Sequence, residues 1–294
     1  MEIVLTHIGP APLPSYIDVT IRQIRRFNRD VLITFITNEC NFKTISNIDL
    51  GINLVDEELV RSWKVPVLLK LIKRKEDDFW GATMSRILYI EEYMQALGKR
   101  NVIHFENDVL LYSDINDHRD ALSNFYNLAI TKGGYNQIMT GFFYIRTYRS
   151  LEHMTDFWID VLANNSTKRL KRVYGIGMMN EMTLLYIYSR SFAEEHMDYF
   201  PILPKGEHSY NIELFNSLFD PASYGQYVGG TDSKKVPGFL DDRHYIGREM
   251  IKNPSMYDVI WKDEGGKVPY LKYARGTMKI NNLHIHSKRL SEFV

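Results

Sequence analysis

Apolar and polar positions alternate in two different styles along this chain. Near the N-terminus "EIVLTHI" is a short, nearly unbroken apolar run, the pattern of a strand buried on both faces. In "PSYIDVTIRQIRRF" the residues Ile17, Ile21, Ile24 and Phe27 recur at helical spacing, and "DVLITFIT" is a second β-branched run. Strand, helix and strand in that order predict a parallel βαβ unit. Residues 39–66 are less regular. "ATMSRILYIEEYMQAL" then predicts a helix through Met84, Ile87, Leu88, Met94 and Leu97, stopped by Gly98, Lys99 and Arg100. "NVIHFENDVLLYSD" follows it as a strand.

Beyond residue 113 the pattern changes. "DINDHRDALSNFY" reads as helical, "LAITKG" and "QIMTGFFYIR" as strands, and "SLEHMTDFWIDVLA" and "NEMTLLYIYSRSFAEEH" as helices. From Pro201 turn residues dominate, giving a loop-rich stretch of about 80 residues, a length that loops in compact domains reach mostly for function. No repeat, low-complexity tract or linker separates two domains. The expectation is one α/β domain over 1–294, with about 1–112 as a first half and about 113–294 as a second.

Within that frame one stretch is chemically odd. Glu106-Asn107-Asp108 interrupts the apolar run from Val102 to Leu111. In a strand, residues two apart point the same way, so Glu106 and Asp108 would share a face, with Phe105 and Val109 on the other. Neighbouring carboxylates repel, and burying them without a partner is costly; a hard divalent cation such as Mg²⁺ or Mn²⁺ relieves both problems. Solvated acids at a strand end are the plain alternative. Near the C-terminus "NLHIHSKRL" repeats the spacing, with His284 and His286 on one side and Leu283 and Ile285 on the other. An imidazole completing an oxygen-rich site suits Mn²⁺, and the following Lys288 and Arg289 suit phosphate oxygens. Ordinary packing is the alternative here.

Composition narrows the classes. The chain has 294 residues, 45% of them hydrophobic, and 36 basic against 36 acidic side chains, so no net field favours nucleic acid. Cys40 is the single cysteine, which excludes an intrachain disulfide and fits a reducing compartment. The N-terminus has no basic n-region, and no apolar run reaches the roughly 18 residues of a membrane span. A cytoplasmic location is expected, with a bacterial or viral source fitting well.

Taken in order, these segments resemble the glycosyltransferases of the GT-A fold, which move a sugar from a nucleotide diphosphate to an acceptor. "VLTHIGPAPLPSYIDVTIRQIRRFN" is similar to that fold's first strand and helix, and implies Thr6 near the nucleotide base. "WGATMSRILYIEEYM" is similar to the helix before the metal motif and implies Arg86 near the nucleotide. "VIHFENDVLLYSD" resembles the DxD motif, with Glu106, Asn107 and Asp108 in its place; Glu in the first position departs from the pattern and leaves Glu106 either on the metal, through water, or on the ribose. "LHIHSKRL" resembles the closing C-terminal segment. The resemblance covers about residues 3–293 and lies in order and spacing, not in any one motif.

It implies a Rossmann-like mixed sheet flanked by helices and a loop-rich acceptor region. It also implies Mn²⁺ or Mg²⁺, with a nucleotide sugar as co-substrate, a UDP-sugar before a GDP-sugar. Asp108 is the expected direct ligand, supported by Glu106; His286 is favoured as the imidazole ligand and His284 is its alternative. Lys288 would pair with phosphate. The carboxylate that takes an acceptor proton would be Glu181, at the start of a helix whose dipole favours its ionised form. Asp241 and Asp242, in the aromatic loop "GFLDDRHYIG", are second candidates. Gly141 inside its strand would allow a close backbone approach or mark a bulge. "GQYVGGTD" would line the acceptor site. Stereochemical outcome and oligomeric state are open.

Three rivals stand beside this reading. A nucleotidyltransferase would want a glycine-rich basic loop after the first strand, where "HIGPAPLPSY" has one glycine, three prolines and no Lys or Arg. A non-catalytic binding module of the same fold and a metal-dependent nucleotide-sugar hydrolase are the others.

Overall fold

The computed structural model describes residues 1–48, 50–73, 78–125, 127–164, 167–231 and 242–294. The predicted βαβ unit is present: β1 (Glu2–His7) and β2 (Leu32–Thr37) pair in parallel on either side of α1 (Ile17–Phe27) in sequence. A short helix α2 (Phe42–Ser46) leads to β3 (Ile52–Asp56), then come α3 (Lys64–Lys73), α4 (Asp78–Ala96), β4 (Arg100–Phe105) and β5 (Val109–Leu111). The second part holds α5 (Arg119–Ser123), β6 (Leu128–Gly134), β7 (Gln137–Thr147), α6 (Tyr148–Ala163), α7 (Thr167–Tyr174), α8 (Glu181–His196) and β8 (Met197–Tyr199). The tail holds α9 (Ile212–Phe215), α10 (Tyr224–Gly229), α11 (Tyr245–Lys252) and strands β9 (Asp258–Asp263), β10 (Lys267–Tyr273), β11 (Gly276–Lys279) and β12 (Asn282–His284).

Seven strands form one mixed sheet in the order β3-β2-β1-β4-β7-β6-β8. The first four run parallel, and β7 enters antiparallel between β4 and β6. Alternation along the strands sorts the core. Val4, Ile36 and Val102 face the helices α4, α6 and α8, where Leu88, Trp158 and Leu185 are buried with them. Ile3, Leu5, Phe35 and Ile103 face the other way, onto Ile17, Ile21 and Ile24 of α1. Burial on both faces is why β1 and β2 read as continuous apolar runs.

Three expectations are corrected. Strand β3 lies within residues 39–66, which read as irregular, and α3 begins at the end of that stretch; Pro66 sits in the first turn of α3, where a missing N–H costs nothing. The predicted helix over 114–126 is a 3₁₀ turn, Ile115–His118, running into the short α5. The tail is not only loops, since β9, β10 and β11 make a three-stranded antiparallel sheet. Pro269 lies in its central strand, a position that normally argues against a strand and so masked it in the sequence.

Candidate functional site

The acidic triplet is not in a strand. β4 ends at Phe105 and β5 begins at Val109, and Glu106-Asn107-Asp108 turns between them, closed by the Val109 N–H donating to the Glu106 carbonyl at 2.9 Å. The strand-face argument therefore gives way to a turn. Asn107 locks that turn to the sheet: its side-chain amide donates to the Thr6 carbonyl at 2.9 Å, and the Thr20 hydroxyl donates to the Asn107 carbonyl at 2.6 Å. Thr6 is thus beside the triplet, buried, near the end of β1.

The tail reaches the triplet by strand pairing. β12 runs antiparallel to β5 with His284 opposite Val109, and the Ile285 N–H donates to the Asp108 carbonyl at 2.8 Å. His284 Nε2 then lies 3.2 Å from Asp108 Oδ1 and 3.5 Å from Glu106 Oε2. One ligand atom from each of Glu106, Asp108 and His284 falls within 4.8 Å of the others. His286 is not part of that set: its ring centroid is 4.3 Å from that of His284, and its Nδ1 is 3.2 Å from the Gln226 amide. Lys288, held at φ +61°, places its ammonium on Asp108 Oδ2. That backbone conformation is unfavourable for a residue with a Cβ, so the turn after Ile285 is fixed by its surroundings.

Sequence reasoning did not single out what holds His284. Asp220 is buried, and its carboxylate accepts from the backbone N–H groups of Ser223, Tyr224, Gly225 and His284 at 2.6–2.9 Å. It therefore caps α10 and pins β12 with the same two oxygens. A Cβ on Gly225 would collide with the His284 carbonyl, and one on Gly141 would lie 2.8 Å from His284 Nδ1. Gly141 sits where the β6–β7 register slips, and its missing side chain makes room for the imidazole. "DPAS" at 220–223, an acid before Pro at a helix start, is the local signal that was available for Asp220.

The opposite wall is built on Arg86 of α4. Its Nη2 donates to Glu106 Oε1 at 2.8 Å, Thr140 Oγ1 at 2.8 Å and Glu181 Oε1 at 3.0 Å, and Thr140 in turn donates to Glu181 at 2.6 Å. Glu181 is the first residue of α8, behind an Asn180 capping box with Thr183. Its Oε2 is buried with no hydrogen-bond partner, as is Asn107 Oδ1. Asp242 is exposed, and Asp241 lies outside the described residues.

Charges in this cluster shift one another. Burial would raise the Glu106 carboxyl, but Arg86 and then His284 hold it down at about 2. Burial would also raise Asp108; His284 and Lys288 keep it well below the usual carboxylate range. Burial disfavours charge on His284, yet Asp108 and Glu106 outweigh it and push the imidazole up to about 9. His286, buried and next to His284, is pushed down to about 3. In this structure a protonated His284 and Lys288 are the cations that balance Asp108. Two carboxylates and one imidazole form an oxygen-rich set with one nitrogen, which fits Mn²⁺ or Mg²⁺ chemically. Glu106, Asp108, Glu181, His284, His286 and Lys288 all line a cavity of about 390 Å³.

No family model matches this sequence, and no curated protein matches it. Among solved structures the chain is similar to mouse xyloside xylosyltransferase 1 in its apo form, with a TM-score of 0.50 and 11% identity over 68% of this chain and 84% of that one. It is also similar to galactosyltransferase LgtC in complex with donor and acceptor sugar analogues, at TM-score 0.40 and 13% identity over 68% and 73%. A third is the glycosyltransferase GlyE of Streptococcus pneumoniae TIGR4, at TM-score 0.40 and 14% identity over 67% and 45%. The first likeness carries the fold: the chain has the GT-A architecture. No helix among the described residues is long and apolar enough to cross a membrane.

Proposed function

We propose that this chain transfers a glycosyl group from a nucleotide diphosphate sugar, a UDP-sugar before a GDP-sugar, to a hydroxyl of a glycan or other acceptor, assisted by Mn²⁺ or Mg²⁺. The observation that carries this is the convergence of Glu106, Asp108 and His284 at one point of a cavity that Lys288 also lines. Breaking the bond from the anomeric carbon to the diphosphate leaves positive charge on the sugar and negative charge on the leaving group. A divalent cation, when bound, neutralises the charge that grows on the diphosphate.

The chain's own groups have separate tasks in this reading. Asp108 and His284 hold the cation, with Glu106 between them and Arg86. His284 takes the ligand role that the sequence favoured for His286, because Asp220 and Gly225 direct it to the carboxylates. Lys288, half exposed, takes a phosphate oxygen in place of Asp108 Oδ2. Glu181 is anchored through Oε1 by Arg86 and Thr140, which leaves Oε2 to accept the proton or hydrogen bond of a hydroxyl. Asn107 orients the triplet through Thr6.

The test is turnover of a panel of UDP- and GDP-sugars with Mn²⁺ present or chelated, with products identified with and without acceptor. Metal-dependent release of the nucleoside diphosphate with sugar on an acceptor is expected. Asp108→Asn should lower that rate about 100-fold or more, the scale seen when one charge-stabilising group is removed. Unchanged rate and donor affinity in this variant would sink the proposed site. Free sugar regardless of acceptor would identify a hydrolase, and sugar nucleotide formed from nucleoside triphosphate a nucleotidyltransferase. Tight donor binding without turnover would identify a binding module.

A further inference from the structure

The cavity does not stop at the acidic cluster. A second hollow of about 590 Å³ shares Met139, Met182, Ala222 and His286 with it. That hollow shares Gly134 and Tyr135 with a third, of about 200 Å³, which Tyr186, Tyr199 and Tyr245 also line. Shared walls thus set the three hollows in a row from the cluster to a tyrosine-lined end.

Tyr135 stands where the second and third hollows meet, in the turn of the β6–β7 hairpin. It is 60% exposed, so burial does not explain its place. Yet it is braced: its ring meets Tyr245 edge to face, centroids 5.4 Å apart at 72°, and the Arg248 guanidinium lies 5.2 Å from its centre. Tyr245 is itself stacked on His208, centroids 3.6 Å apart. Deeper in, Lys132 lies 4.1 Å from the Tyr199 ring centre and 4.8 Å from that of Tyr210, and donates to the Tyr210 hydroxyl at 3.1 Å. An exposed aromatic face held still has already lost the freedom that binding would otherwise cost.

We propose that this row of hollows is an acceptor channel and that the acceptor is an oligosaccharide. Its terminal unit lies by Glu181, and a more distant sugar ring stacks on Tyr135. This rests on the glycosyl-transfer reading and names the class of its second substrate. The chemistry along the row fits sugars. Asn136, Gln137 and Gln226 offer side-chain amides that both donate and accept, as hydroxyls require, and Lys132, Ser189 and Glu207 ring the tyrosine end. Tyrosine supplies an apolar face for the C–H side of a sugar and a polar tip for its hydroxyls. An extended peptide is a poorer fit, because the free edge of β6 is short: β8 covers Leu128–Ile130 and His244 is bridged to Gly134, which leaves only residues 131–133 between them.

The test is an array of immobilised oligosaccharides and their terminal monosaccharides, probed with the full chain in Mn²⁺ and UDP. Bound glycans are then titrated against wild type and Tyr135→Ala. An oligosaccharide of three or more units should bind about tenfold more tightly than its terminal monosaccharide, as about 1.4 kcal/mol from one aromatic contact would give. Tyr135→Ala should remove that preference and leave UDP affinity unchanged. No oligosaccharide bound above its monosaccharide, or a length preference that survives Tyr135→Ala, overturns the proposal. UDP affinity, titrated on the same samples, separates this failure from a failure of the glycosyl-transfer reading.

Discussion

Glu106 lies between two kinds of countercharge. On the body side stands Arg86 of α4, mostly buried, always charged and shared with Thr140 and Glu181. On the tail side stand His284 and Lys288, which meet Asp108 only because the last strand folds back over β5. Burial opposes charge on Arg86, but Glu106 and Glu181 outweigh it and keep it protonated. The imidazole and the half-exposed ammonium, by contrast, are exchangeable: one can lose a proton and the other can swing away. Fixed charge on one wall and replaceable charge on the other is what a site needs if it is to hold its shape and still admit a cation and a diphosphate.

The largest expected effect breaks the fixed wall. Arg86→Met leaves Glu106 and the buried Glu181 without their shared cation, and such losses cost about 3–5 kcal/mol. Chemical denaturation at neutral pH would measure it. Arg86→Lys should recover only part, because all three oxygens are reached from the one nitrogen Nη2, and the more strongly hydrated ammonium of a shorter side chain does not sit at that point. A cost below about 1 kcal/mol for Arg86→Met would mean that the two walls do not differ in the way described.

The same wall should be visible in acid. His104, fully buried in β4, has Nδ1 2.8 Å from the Val4 carbonyl, as an Nδ1–H donor would. Burial first, and then the Arg86 charge, push its pKa down to about 3. The unfolded chain takes up this proton near pH 6.5 and the native one does not. Stability is therefore full above about 6.5 and falls as the pH drops toward 3, by about 1.4 kcal/mol per pH unit for one proton. Unfolding free energies at pH 7, 6, 5 and 4 for wild type and His104→Gln isolate this term, since all other groups are common to both. The wild type should lose stability more steeply than the variant; parallel curves would mean that neither burial nor the Arg86 charge holds His104 neutral.

The contrast between the walls also governs what could be read from the sequence. Segments whose apolar spacing repeats over several turns, such as α1, α4, α6 and α8, were legible, as were the runs that became β1, β2, β4, β6 and β7. The pairing of Glu106 with Asp108 stood out because two acids interrupt an apolar run. Their geometry did not, since the apolar residues on both sides read as one strand, whereas the two carboxylates meet across a turn. Which of His284 and His286 meets the carboxylates was likewise hidden. Asp220, 64 residues away, and the missing side chains of Gly141 and Gly225 bring His284 there. Thr140, which ties Arg86 to Glu181, carries no local signal at all, because its role exists only once α4, β7 and α8 are packed.

The smallest expected effect, and the sharpest for the replaceable wall, belongs to Lys288. Its side chain is 49% exposed, so its ion pair with Asp108 is screened and contributes little to stability. If its work is to leave Asp108 and meet a diphosphate, Lys288→Met should change the two ligands in opposite directions. Mn²⁺ alone should bind as well as before or up to about threefold more tightly, because Asp108 no longer has a competing ammonium. UDP in the presence of Mn²⁺ should bind about tenfold more weakly, a loss of about 1.4 kcal/mol for one charge-assisted contact. Isothermal titration of each ligand into wild type and variant reads both. Mn²⁺ affinity that falls along with UDP affinity would make Lys288 a fixed support of Asp108 like Arg86, and the distinction between the two walls would end there.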